Sequence, residues 1–196
     1  MREPLPLATI QDAVLEYLRG VKDAALFGAQ AVNAYVDEPR MMQDVAVLST
    51  RAREFAEELK EHLNLKFHVA IRIREVAGGK GFRLFQVQKT GNRHLVDIRA
   101  VQSLPPVRRL DEVQVAAPAE LIALKVIAYL SRKGQPKAFT DRRDLAALLL
   151  KFPQLKADDG EVRERLAAAG ADAQTHAAWR DLVAEAIVPE NDDEGY

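Results

Sequence analysis

The chain has 196 residues, no cysteine, a formal net charge of −1 and a hydrophobic content of 48%. Those values suit a soluble globular protein with one good core and a helical appendage. They exclude disulfides, thiolate catalysis and cysteine-based zinc sites, and no apolar run approaches the ~20 residues of a bilayer span. The opening MREPLPLATI lacks the long apolar core of a secretion signal, so no membrane partner and a cytoplasmic location are expected.

In chain order, Thr9 and Asp12 mark a helix start, and Ile10, Val14, Tyr17 and Leu18 form a helical stripe up to Gly20. Ala24 to Phe27 is too short and apolar for a helix and predicts a buried strand. Gly28 then lets the chain turn sharply, because a residue without Cβ takes positive φ cheaply. Ala31, Val32 and Tyr35 recur at helical spacing, and Pro39 stops that helix. Val45, Val47 and Leu48 predict a second strand with Asp44 at its start. A strand, a glycine turn, a helix and a strand with an acid at its mouth can hold a phosphate and its metal together.

Thr50 to Asn64 predicts an amphipathic helix, with Phe55, Ala56, Leu59 and Leu63 inward. Phe67, Val69, Ile71 and Ile73 then alternate with His68, Ala70, Arg72 and Arg74 at the period of a strand. Turns at Gly78 to Gly81 and at Thr90 to Asn92 complete a three-strand meander ending in His94 to Arg99. Pro105 and Pro106 open a connection to a strong helix that begins near Pro118 and carries Lys125 within an apolar stretch. Thr140 caps a further helix, Asp141 to Lys151, and Ala-rich segments finish the chain as helices. The expected organisation is α/β (α+β): a small mixed sheet flanked by helices over 1–112, a helical region over 113–188 and an acidic, mobile tail over 189–196.

Charge is unevenly spread. From Arg72 to Arg109 nine basic residues face only Glu75 and Asp97, a net +7 that leaves −8 for the rest of the chain. A basic middle suits a polyanion such as RNA or a triphosphate. Alternating arginines on strands also make an ordinary solvated sheet face, and that simpler account carries slightly more weight.

Two carboxylates spaced D-x-D on a strand share one face, and a third acid on a neighbouring strand closes a site for Mg²⁺. Asp44, at a strand start, and Asp97, isolated between Val96 and Ile98, are the candidate acids for such a site. Each has a simpler account: Asp44 as a carboxylate bound to nearby backbone, Asp97 as an ion-pair partner of Arg93 or Arg99. Lys125 is costly to bury alone and must snorkel or meet an anion. Asp141 would sit in the first turn of its helix, where the macrodipole favours an acid anyway. The four histidines show no metal-ligand spacing, and P-loop, G-x-S-x-G and H-E-x-x-H motifs are absent.

Gly28-Ala29-x-Ala31 with Tyr35, then Arg40 and Asp44-Val45, resembles the nucleotidyltransferase superfamily of the DNA polymerase beta type, and most closely its AbiEii-type branch from toxin–antitoxin modules. Lys125 with Ala128 resembles that branch's K-x-x-A helix, and Asp141-x-x-Asp144-Leu145 its K-D-x-x-D-L motif with Thr140 in place of the Lys. Met42 replaces the pattern's Thr, and Ala46 its second Asp. The resemblance implies a protein that binds a nucleoside triphosphate with Mg²⁺ and moves the nucleotide onto an RNA or protein hydroxyl; with Ala46 in place of the second Asp, a single Mg²⁺ site and slow or absent transfer are expected. Asp44 and Asp97 would then be catalytic and hold the metal. Gly28, Ala29 and Arg40 would bind the nucleotide, Lys125 would meet its phosphates, and Asp141 would orient Lys125 or a ligand. Glu38, Asp37 and Asp141 are the acids that could replace the missing carboxylate. A catalytically silent member, retained to bind a nucleotide or an antitoxin-like protein, is the alternative.

Overall fold

The computed structural model describes residues 5–189, so the acidic tail read from the sequence lies outside the described residues apart from Pro189. The chain forms two compact units. The first runs through Ala34 and resumes at Glu38–Ala117; the second comprises Tyr35–Asp37 and the chain from Pro118.

In the first unit seven strands form one sheet in the order β3-β4-β5-β2-β1-β7-β6. They are β1 (Ala24–Phe27), β2 (Val45–Ser49), β3 (Ile71–Val76), β4 (Gly81–Gln88), β5 (Gly91–Ala100), β6 (Val107–Leu110) and β7 (Val113–Ala116). Pairs β2–β5 and β1–β7 are parallel and the others antiparallel, so the sheet is mixed. The helices α1 (Leu7–Leu18) and α3 (Ala52–Phe67) cover one sheet face. There α3, with Phe55, Leu59 and Leu63, packs on β2, β4 and β5, which carry Val45, Val47, Leu84, Val96 and Ile98, all essentially inaccessible to solvent. Each large side chain removed from water in this way contributes about 1.5–3 kcal/mol. The period-two alternation then leaves Arg72, Arg74, Arg83, Asp97 and Arg99 on the opposite face.

Several boundaries differ from the sequence expectation, each for a physical reason. The helix after Gly28, α2, spans only Gly28–Asn33 rather than continuing to Pro39. Asn33 ends it by accepting from the Arg40 backbone N–H (3.1 Å) and donating to the Arg40 carbonyl (2.7 Å). The intervening Tyr35 and Asp37 are held within the second unit: the Tyr35 ring meets Phe152 edge-on at 5.6 Å, and Lys151 donates to both Asp37 oxygens at 2.8 Å. Helix α3 runs on to Phe67 and stops at His68, which takes a left-handed conformation (φ 53°), so the strand expected from Phe67 starts at Ile71. The β6–β7 hairpin was not expected, and it carries the first unit through Ala117 rather than to residue 112.

The second unit is helical: α4 (Pro118–Ser131), α5 (Pro136–Lys151), α6 (Glu161–Ala168) and α7 (Ala173–Ala184). Helix α4 packs on the other three around Leu121, Ile122, Val126, Leu145, Leu166 and the fully buried Trp179. The Trp179 indole N–H donates to the Ala157 carbonyl at 3.2 Å, which satisfies its one polar atom. Asp172 caps α7 by accepting from the Thr175 backbone N–H (2.8 Å) and hydroxyl (2.7 Å), and those bonds hold its carboxyl below the usual range. Helix α5 begins at Pro136, so Thr140 is interior to it and Asp141 lies beyond its first turn. Among the described residues no helix is long and apolar enough to cross a membrane.

Candidate functional site

Strand pairing sets the geometry on the open face of the first unit. One row runs across five strands: Arg74 of β3 opposes Arg83 of β4, Arg83 opposes Asp97 of β5, Asp97 aligns with Ala46 of β2, and Ala46 with Phe27 of β1. Gly28 follows Phe27 with φ +69°, and a Cβ placed on it would stand 3.1 Å from the Ala46 Cβ. Glycine is thus required twice, by backbone conformation and by close approach. Ala29 follows at the half-buried start of α2, whose six residues give only a short dipole. Arg40 is positioned through its main chain by Asn33, and its guanidinium donates to the Met41 carbonyl at 3.3 Å.

Asp44 immediately precedes β2 and is partly exposed, with the imidazole Nδ1 of His94 at 3.9 Å. His94 stacks on Phe85 with ring centroids 4.9 Å apart. Asp97, also partly exposed, has the Arg83 Nε at 3.7 Å. The expected ion-pair partners Arg93 and Arg99 are otherwise engaged: Arg93 donates to the Leu5 carbonyl (2.9 Å), and the Arg99 guanidinium lies 4.9 Å over the Phe27 ring.

These residues do not fit a pair of metal ions. Among the described residues no group of three His, Asp or Glu side chains is placed to share a metal. The position between the two acids is the Ala46 methyl, and an arginine stands beside Asp97. Of the acids that could have replaced the missing carboxylate, Asp37 is bound to Lys151, and Asp141 to Lys125 and Arg132.

A cleft of about 380 Å³ opens on the C-terminal side of Asp97 along β5. Its charged lining is Lys80, Arg83, Asp97 and Arg99, with Val76, Ala77 and Gly81 also in the wall. Gly28 and Asp44 lie toward the other end of these strands and do not line it.

Lys125 and Asp141 meet inside the second unit. The Lys125 ammonium donates to Asp141 at 2.9 Å and to Asp144 at 2.6 Å, and Arg132 donates to the other Asp141 oxygen at 2.6 Å. The side chains of Lys125, Asp141 and Asp144 are 9%, 3% and 1% exposed, so a buried cation is matched by two buried acids. These ion pairs tie α4 to α5.

Sequence reasoning missed the second partner of Lys125 and the neighbours of both acids in the first unit. Asp144 was legible in principle, since it follows Asp141 by three residues and shares its helical face. His94 beside Asp44 and Arg83 beside Asp97 depend on strand register, which a single sequence does not carry.

No protein-family model matches the chain, and no curated protein does. Among solved structures, it resembles the Megavirus polyadenylate synthase with a TM-score of 0.60 at 16% identity, over 78% of this chain and 33% of that one. The chain therefore spans about a third of the viral protein's length. A Helicobacter pylori protein described as a nucleotidyltransferase matches with a TM-score of 0.55 at 13% identity, over 91% of this chain and 92% of that one. The antibiotic-resistance factor ANT(2'')-Ia matches with a TM-score of 0.50 at 14% identity, over 90% and 94%. The mixed sheet with its flanking helices is a nucleotidyltransferase fold.

Proposed function

We propose that this chain binds a nucleoside triphosphate on the open sheet face of its first unit and is silent, or nearly so, in nucleotidyl transfer. The observation that carries this reading is the row through Asp97 and Ala46: an arginine and a methyl group flank the one carboxylate. Phosphate binding needs positive charge and room, and Lys80, Arg83 and Arg99 supply charge around the cleft. Two-metal transfer needs acids to offset the repulsion between cations about 3.5–4 Å apart, and the methyl at 46 withholds one.

A second reading is favoured by Gly28, Asp44 and Asp97, which keep the order of the resembled pattern: slow transfer with a single Mg²⁺ onto an RNA or protein hydroxyl. RNA, or an antitoxin-like protein, is then the partner class that the AbiEii-type resemblance implies.

The test uses the four labelled triphosphates with Mg²⁺ or Mn²⁺, total cellular RNA and the protein itself. Equilibrium binding without label on any acceptor is expected. In Ala46→Asp the restored carboxylate should raise Mn²⁺ affinity. Label on RNA or protein at a rate of ~1 s⁻¹ or more, ordinary for enzymes, would overturn the silent reading.

A further inference from the structure

We infer that Arg83 occupies the electrostatic place of a divalent cation beside Asp97, so that the cleft it lines with Lys80 and Arg99 takes the polyphosphate of a metal-free nucleoside triphosphate; this rests on the nucleotide-binding reading above. Arg83 stands directly opposite Asp97 in the β4–β5 register, its Nε 3.7 Å from the carboxylate. A divalent cation drawn to Asp97 would meet that guanidinium at close range and be repelled. The arginine charge is permanent and needs no ion, and the planar fork donates to two phosphate oxygens at once.

The neighbours are arranged to extend that charge. Arg99 is two residues beyond Asp97 on β5 and therefore on the same face. Its guanidinium is held 4.9 Å over the Phe27 ring, a contact that limits its rotamers. Lys80 comes from the turn that leads into β4. Three cations and one carboxylate line a cleft of about 380 Å³, within the size range of small-ligand sites. In this arrangement Asp97 does not ligate a metal. It orients Arg83 and repels the incoming phosphates.

That reversal of role gives the test its sign. ATP, and inorganic tripolyphosphate as competitor, are titrated by calorimetry into the full chain in EDTA and again in excess Mg²⁺. The expected result is binding in EDTA at least as tight as with Mg²⁺, with tripolyphosphate competing. Arg83→Gln should weaken binding in EDTA about tenfold or more, and Arg83→Lys should recover part of it. Asp97→Asn should strengthen it, on the order of threefold, because a like charge has gone. Arg83 is 44% exposed, so its replacement is compatible with folding, which a thermal melt checks. Mg²⁺-dependent ATP binding that Asp97→Asn abolishes would overturn this inference and leave nucleotide binding standing. No ATP binding in either condition would overturn both.

Discussion

At the scale of single residues, Lys125 shows how a buried charge is tolerated. Its ammonium is removed from water, a cost repaid only by the two carboxylates that accept from it. Truncation to Ala leaves Asp141 paired with Arg132 and removes the bond that Asp144 accepts from Lys125. Lys125→Ala should therefore destabilise the second unit by about 3–5 kcal/mol. Trp179, the chain's one tryptophan, is buried in that unit, so urea unfolding followed by its fluorescence measures the loss directly. A loss under about 1 kcal/mol would mean that the network relaxes to admit water. The requirement for an anion near Lys125 was legible from the sequence, since one cation in an apolar stripe demands it. Asp141 was a candidate for that anion, but Thr140, read as a helix cap, placed it in a first turn, where an acid needs no further explanation, and the second partner, Asp144, went unassigned.

At the scale of elements, the meander and the strand after Gly28 were legible because alternation and glycine punctuation point the same way. The β6–β7 hairpin was not. Its two turn residues, Asp111 and Glu112, have φ of 46° and 68°, the left-handed pair of a tight hairpin turn that usually announces itself with Asn-Gly or Asp-Gly. Here the second residue is Glu, so the signal is missing while the geometry remains. Glu112→Gly should then stabilise the chain by about 0.5–1 kcal/mol, read as a higher midpoint in thermal unfolding followed by circular dichroism. A lower midpoint would show that the Glu112 side chain contributes more than its backbone costs. Helix α4 supports a second test, at Glu120. Burial pushes its carboxyl above the ordinary 4.5, with Arg165 opposing. A raised folded pKa favours the protonated form, so this group's contribution is complete below pH 4.5 and is lost as pH rises from there through the folded value. Glu120→Gln should stabilise the second unit at pH 7, and the gain should vanish well below pH 4.5. Trp179 fluorescence in urea at the two pH values decides it, and a gain independent of pH would remove ionisation as the cause.

At the scale of the whole molecule, the sequence carried the basic middle of the chain but not what divides it, since only strand order shows which arginines share a site. Arg83 and Arg99 lie on interior strands and line the cleft. Arg72 and Arg74 lie on β3, and Arg108 and Arg109 on β6, and these are the two edge strands of the sheet. An edge strand offers unpaired backbone groups to other chains, and charge along it discourages that pairing. On the proposed reading, the same +7 segment serves as ligand charge in the interior and as protection at the edges. Replacing Arg72 and Arg74 together by Thr keeps strand propensity and removes the edge charge. The double variant should self-associate, seen as a rise in mass by light scattering with protein concentration, while the salt dependence of ATP binding in EDTA stays as in the parent chain. If instead the variant remains monodisperse and its slope of log affinity for single-stranded RNA against log salt falls by about 0.7 for each lost contact, the β3 edge is itself a polyanion surface.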